Sequence, residues 1–193
     1  LPTREILYGD GKVYGRMGLT AQRELEAAMG VLENAKHCRL TANGLQAVAL
    51  ALGSVLQAGE HLLASDSIYG PSRRYCERRL KAMGVSVTRF DPTIGAVIKE
   101  LIQDNTKAIM LESPGSLTFD IMDTPAIAEI AKAHKITTVF DNTWGVGVLH
   151  KPLDLGVDIV LQALTKYPVG PADAMGGAVL TNSDRLANQI AMC

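Results

Sequence analysis

Residues 157–179 read VDIVLQALTKYPVGPADAMGGAV, and the way this stretch opens decides the fold. Val157, Ile159, Val160 and Leu161 form a short apolar run of strand length, which ends at Thr165 and Lys166 before a loop holding Pro168, Gly170 and Pro171. An amine is thereby set at the mouth of a sheet. A lysine held against apolar surroundings loses solvation of its charged form, so its pKa falls and the neutral amine can attack a carbonyl. Taken alone, Lys166 is an ordinary solvated lysine, since lysines are seldom buried. Its neighbours decide between the two.

Upstream, strands and helices alternate. TTVFD (137–141) and KAIMLE (107–112) read as strands, and Thr124-Pro125 opens a helix between them whose buried stripe is Ile127, Ile130 and Ala131. Thr93 opens another helix, with Ile94, Val97, Ile98, Leu101 and Ile102 at helical spacing. VSVTRF (85–90) alternates as a strand, Tyr75 to Met83 reads as a helix ended by Gly84, SIYGPS as a loop and HLLAS (61–65) as a strand. A helix over 45–56 follows Asn43-Gly44 and an extended piece from Cys38 to Thr41. The first helix is capped by Thr20 and turns Leu25, Ala28, Met29 and Leu32 to the core, with Arg23, Glu24, Glu26 and Glu33 on its other face. Residues 1–19 read as an arm, and 20–193 as one α/β domain with a mainly parallel sheet and helices on both faces.

Such a sheet binds its ligand outside the carboxyl ends of the strands. Those ends carry Glu112 and Ser113, Asp141 and Asn142, Thr165 and Lys166, and the Asn43-Gly44 loop. An aspartate and a lysine at neighbouring strand ends match the needs of a pyridoxal phosphate enzyme. The lysine holds the cofactor's aldehyde, and the aspartate keeps the pyridine nitrogen protonated so that the ring accepts a carbanion's electrons. Gly44 and Leu45 begin a helix, where main-chain N–H groups and the macrodipole favour a phosphate. Singly, each has a plainer reading: Asp141 as a turn cap, Gly44 as a turn residue, Tyr69 as a rim aromatic, Tyr14 and Arg16 as solvated loop residues.

Composition narrows the field. Nineteen Lys and Arg against 20 Asp and Glu, with 47% hydrophobic residues, describe a globular chain without the basic stripe of a nucleic-acid binder. Cys38, Cys76 and Cys193 are far apart and His37, His61, His134 and His150 lie at no ligand spacing, which predicts neither disulfides nor a metal site. No apolar run reaches the length of about 20 residues needed to span a bilayer, and no signal peptide is apparent, so a reducing, cytoplasmic setting is expected. GVG at 145–147 lacks the rest of a dinucleotide fingerprint. The opening at Leu1 and the stop at Cys193, within helical spacing, read as a fragment of a longer protein.

These residues resemble a known family. VYGRMGLT, LTANGLQAV, SDSIYGPS, LESPGS, DNTW and QALTKY are similar to segments of the pyridoxal phosphate enzymes of cysteine and methionine metabolism (the trans-sulfuration enzymes), over nearly the whole chain. ESPGS and DNTWGVGVL look like the cystathionine β-lyase branch. The resemblance implies the large cofactor-binding domain of a fold-type I enzyme, with pyridoxal 5'-phosphate as cofactor. Lys166 would carry the cofactor, Asp141 would pair with its ring nitrogen, and Tyr69 would stack on the ring. Gly44, Leu45 and Thr165 would bind the phosphate, with Tyr14 and Arg16 reaching across a dimer interface of a tetramer. The implied reaction is β-elimination of cystathionine, or of a related cysteine S-conjugate, to a thiol, pyruvate and ammonia. A γ-lyase or γ-synthase of the same family, and a non-catalytic truncated fragment, are the competing readings. The chain departs from the family at Gly170-Pro171-Ala172-Asp173, where a histidine and a serine usually precede the aspartate, and at Pro168. The family's substrate-carboxylate arginine falls in a C-terminal domain outside this sequence.

Overall fold

β-Branched and aliphatic runs of four to seven residues make the sheet. In this computed structural model, which describes residues 18–193, the strands are β1 His37–Thr41, β2 His61–Ser65, β3 Ser86–Phe90, β4 Thr106–Glu112, β5 Thr137–Asp141, β6 Ile159–Gln162 and β7 Gly177–Thr181. They form one sheet in the order β1-β7-β6-β5-β4-β2-β3. β3, β2, β4, β5 and β6 pair in parallel, and β7 runs antiparallel to both β6 and β1. The mainly parallel α/β expectation therefore holds, with β7 the one reversed strand. Tyr14 and Arg16 lie outside the described residues, as does nearly all of the arm.

Side chains alternate across the sheet and build two cores. On one face Leu62, Met110, Val139, Leu161 and Val179 meet α2 (Gly44–Gly53) and α5 (Asp184–Met192) through Val48, Leu52 and Leu186. On the other, Leu63, Ile109, Phe140, Val160 and Leu180 meet α1 (Thr20–Glu33) and α4 (Thr124–Ala133) through Met29 and Ile127. Burial of a Leu or Ile side chain is worth about 1.5–3 kcal/mol, so this two-sided cover is what holds the strand ends in place.

Several sequence expectations need correction. Leu19, not Thr20, is the N-cap of α1, and its N–H is satisfied by Gln22 Oε1 at 2.7 Å. Within α1, Met29 is buried while Leu25 is 42% exposed, and Glu33, expected on the solvated face, is completely buried. The helix placed at Tyr75 begins earlier, as α3 (Gly70–Arg74), and continues through a π-helical turn over Tyr75–Leu80. The stretch after Thr93 is a 3-10 helix, Gly95–Leu101. Its tighter winding buries Ile98 and turns Val97 outward. Gly44 has a packing reason that its sequence context did not reveal: a Cβ there would stand 2.5 Å from Ala163 Cβ, so the start of α2 presses on the residue that follows β6.

Candidate active site

The carboxyl ends of β1, β2, β4, β5 and β6 meet at one edge of the sheet. A cavity of about 410 Å3 opens there, and Gly44, Tyr69, Glu112, Asp141, Thr165 and Lys166 all line it. They come from five strand ends or the loops that follow them, with Thr165 and Lys166 both following β6. The structure thus brings together every described residue given a cofactor role from the sequence, Leu45 included, whereas the strand-end residues Ser113 and Asn142 do not line this cavity.

Asp141 ends β5 and is 7% exposed. Its Oδ1 accepts the Thr143 N–H at 3.0 Å and the Thr143 hydroxyl at 2.5 Å, and the Thr143 Oγ1 in turn accepts the Ala163 N–H at 2.9 Å. One threonine therefore fixes the carboxylate and ties the end of β5 to the end of β6. Burial raises the pKa of Asp141 against the lowering effect of these hydrogen bonds. Among the described residues it makes no ion pair. A buried carboxylate that faces a cavity and has no ion-pair partner among the described residues is suited to a ligand that brings an N–H⁺.

Asn43 caps α2, with Oδ1 accepting Gln46 N–H at 2.9 Å and its carbonyl accepting Ala47 N–H at 3.1 Å. The amides of Gly44 and Leu45 in the first turn are left for a ligand, at the positive end of the helix dipole. Tyr69 is the N-cap of α3, with its side chain 47% exposed toward solvent and the cavity. Thr165 lines the cavity, but its hydroxyl donates to Gly176 O at 3.1 Å and accepts Gly176 N–H at 3.2 Å. Lys166 is exposed in the turn after β6, held by its N–H on Ala163 O at 3.2 Å. The side chain is therefore solvent-exposed and not buried against apolar residues.

Three supporting residues escaped the sequence reading of roles. Glu112, recognised only as a strand end, lies beside Asp141 in the parallel register of β4 and β5, and its Oε2 accepts the Tyr69 N–H at 2.6 Å. Thr143 could have been found from its position two residues after an aspartate, a spacing that favours a local side-chain turn. Glu33 lies beneath the site: its Oε1 accepts from Asn142 Nδ2 at 2.7 Å and from Gln162 Nε2, while Asn142 Nδ2 also reaches His150 O at 2.9 Å. Asn142, nominated as a strand end, points into this network and away from the cavity. Burial raises the pKa of Glu33. No periodicity argument could have predicted a buried glutamate on that helix.

A second hollow, about 680 Å3, adjoins the first across Glu112 and Lys166 and is walled by Phe119, Trp144 and Tyr167. The Trp144 and Tyr167 rings stack at 5.8 Å, and Phe119 meets Trp144 edge-on at 6.2 Å. A third of about 640 Å3, between α1 and β1, gathers no comparable set of chemical groups. Among the described residues no cluster of His, Cys, Asp and Glu could hold a metal, and no helix is long and apolar enough to cross a membrane.

Comparison with known proteins finds relatives over nearly the whole chain. Residues 6–193 match the family described as Cys/Met metabolism PLP-dependent enzyme. The chain is 41% identical over 177 residues to cystathionine beta-lyase of Bordetella avium, covering 92% of this chain and 44% of that protein. It is likewise 41% identical over 172 residues to cystathionine beta-lyase MetC of Escherichia coli (strain K12), covering 88% and 44%. The crystal structure of cystathionine gamma-lyase from Lactobacillus plantarum complexed with L-serine superposes with a TM-score of 0.93 at 32% identity, over 100% of this chain and 50% of that one. The chain thus spans about half the length of the relatives it matches.

Proposed function

Because the chain belongs to the Cys/Met metabolism PLP-dependent enzyme family, we propose that it is the cofactor-binding part of a carbon-sulfur lyase of the cystathionine β-lyase type. The net reaction is cystathionine, or a related cysteine S-conjugate, plus water to homocysteine (or the corresponding thiol), pyruvate and ammonia, as a step of methionine biosynthesis. The observation that carries the reading is the convergence of Lys166, Asp141 and the start of α2 on one cavity. The similarity to cystathionine beta-lyases supports the choice of substrate.

The residues fit pyridoxal 5'-phosphate. Bound there, the cofactor supplies an electron sink for the carbanion formed at the substrate Cα. Asp141, oriented by Thr143, would face the ring nitrogen and hold its proton. The Gly44 and Leu45 amides would take the phosphate, with Thr165 alongside. Tyr69 would cover one face of the ring, excluding water from it. Lys166 Nζ would anchor the aldehyde and, once freed by substrate, accept the Cα proton. A lysine exposed before loading has room for that exchange.

The whole enzyme is proposed to be a cytoplasmic homotetramer built from dimers, with Tyr14 and Arg16 contacting the phosphate of the neighbouring subunit. Its substrate is a small amino acid, with no part for nucleic acid or membrane. The test is product analysis on the full-length enzyme. Pyruvate from cystathionine supports β-elimination, whereas a 2-oxobutanoate product refutes it. Replacement of Lys166 by Ala is expected to abolish turnover, and retained turnover would overturn the assignment of the proton to Nζ.

A further inference from the structure

We propose that Glu112 is a positioning residue of this site, acting as a neutral acid that pins the Tyr69 main chain and leaves Asp141 as the one negative charge on the cavity floor. The proposal rests on the cofactor reading above, but it is carried by independent geometry. Glu112 is the last residue of β4 and the register partner of Asp141, the last residue of β5. Two carboxyl groups are thus side by side on the lining of one cavity. Neither has an ion-pair partner among the described residues.

Such a pair cannot carry two charges cheaply, because each anion is desolvated and repelled by the other. One proton must stay. The hydrogen bonds decide where it sits. Asp141 has two donors aimed at Oδ1, both from Thr143, which favour its charged form. Glu112 has one, the Tyr69 amide, on Oε2. Its other oxygen is free to carry the proton. Burial, and then the charge of Asp141, raise Glu112 to about 9. The remaining titratable groups on this cavity are Tyr69 and Lys166.

The Tyr69 contact gives the neutral acid a second use. Tyr69 is the N-cap of α3 and makes no side-chain cap hydrogen bond of its own. Its main chain is held at the cavity by the 2.6 Å bond to Glu112 and, one turn on, by Arg73 N–H on the Tyr69 carbonyl at 2.9 Å. Removing Glu112 therefore frees the aromatic ring to drift. A neutral amide at 112 would keep the acceptor and the charge balance together.

The experiment uses full-length protein. In the cofactor-free form, infrared difference spectra between wild type and Glu112→Gln are expected to show one protonated-carboxyl component that titrates near pH 9 and is absent from the variant. A component unchanged by Glu112→Gln, or removed by Asp141→Asn instead, overturns the placement of the proton. This readout does not need the cofactor, so it stands apart from a failure of the proposed function. Cofactor titration then tests the positioning role. Glu112→Gln should bind within about twofold of wild type, whereas Glu112→Asp, which keeps the carboxyl group but withdraws it from the Tyr69 amide, should bind about tenfold more weakly, the worth of a hydrogen bond of this kind. Equal binding by Glu112→Asp, or loss of binding in a folded Glu112→Gln, overturns it.

Discussion

Gly44→Ala is the substitution whose outcome the structure fixes most sharply. In isolation it should help, because alanine is the better helix former by about 0.8–1.0 kcal/mol. The position forbids that gain. The added Cβ would stand 2.5 Å from Ala163 Cβ and 3.0 Å from Ala163 Cα, and part of the obstacle is backbone that cannot swing away. Ala163 is in turn tied through its N–H to Thr143, which holds Asp141. The start of α2 must therefore lift off the end of β6, and overpacking of this kind costs about 1–3 kcal/mol. Gly53, at the other end of the same helix, has nothing within 4 Å of its Cβ direction. Gly53→Ala is thus an internal control. Urea unfolding should show Gly44→Ala destabilised by about 1–3 kcal/mol and Gly53→Ala unchanged or stabilised by up to about 1 kcal/mol. Cofactor affinity should fall only in the former, since its first-turn amides are displaced. Ala163→Gly should rescue Gly44→Ala in part, as a double-mutant cycle would report. A Gly44→Ala protein as stable as wild type, with unaltered affinity, would refute the claim that this close approach sets the phosphate cradle.

The remaining predictions are simpler. Thr143→Val removes the hydroxyl donor to Asp141 and leaves the part-buried Ala163 N–H without its acceptor, while the main-chain N–H to Asp141 Oδ1 survives in the variant. Equilibrium unfolding should show a loss of about 1–3 kcal/mol, with weaker cofactor binding. Glu33→Ala strands Asn142 and Gln162 beneath the strand ends and should cost several kcal/mol, of the order of about 3 for breaking a buried network, whereas Glu33→Gln, which keeps an acceptor, should cost clearly less in the same assay. Stability should also depend on pH through Glu112. Its folded-state pKa is raised from the ordinary value to about 9, so the folded form binds more protons. This contribution is fully present below the unfolded pKa, declines through the interval above it, and is lost as pH rises through about 9. Glu112→Gln should flatten that decline in thermal unfolding measured between neutral and alkaline pH. An unchanged slope would mean that other groups produce it.

Much of the fold was legible because its strands are unusually pure. HLLAS, KAIMLE, TTVFD and IVLQ are buried over nearly their whole length, and apolar runs separated by Gly, Pro and Asn loops leave few other assignments. The strand-end rule then brought Asp141, Lys166 and the Asn43-Gly44 loop to one edge of the sheet. Less regular elements were not legible. The apolar residues after Thr93 have helical spacing, but a 3-10 winding redistributes them, leaving Val97 half exposed. The π turn after Arg74 has no sequence period of its own. Glu33 reads as a solvated charge because nothing local reports that Asn142 and Gln162, more than a hundred residues away in sequence, will meet it. The role of Glu112 was hidden for the same reason, since its partners Tyr69 and Asp141 belong to other strand ends. β7 and its reversed direction emerge only from the register with β1 and β6.

The central claim is that Lys166 is the residue on which the cofactor is held. The direct measurement is a visible absorption spectrum of the full-length protein with pyridoxal phosphate, followed by borohydride reduction and peptide mapping. A reducible absorption band and a pyridoxyl group on the peptide that contains Lys166 are expected. A folded protein that gives no such band, or a label carried by another lysine such as Lys151, contradicts it.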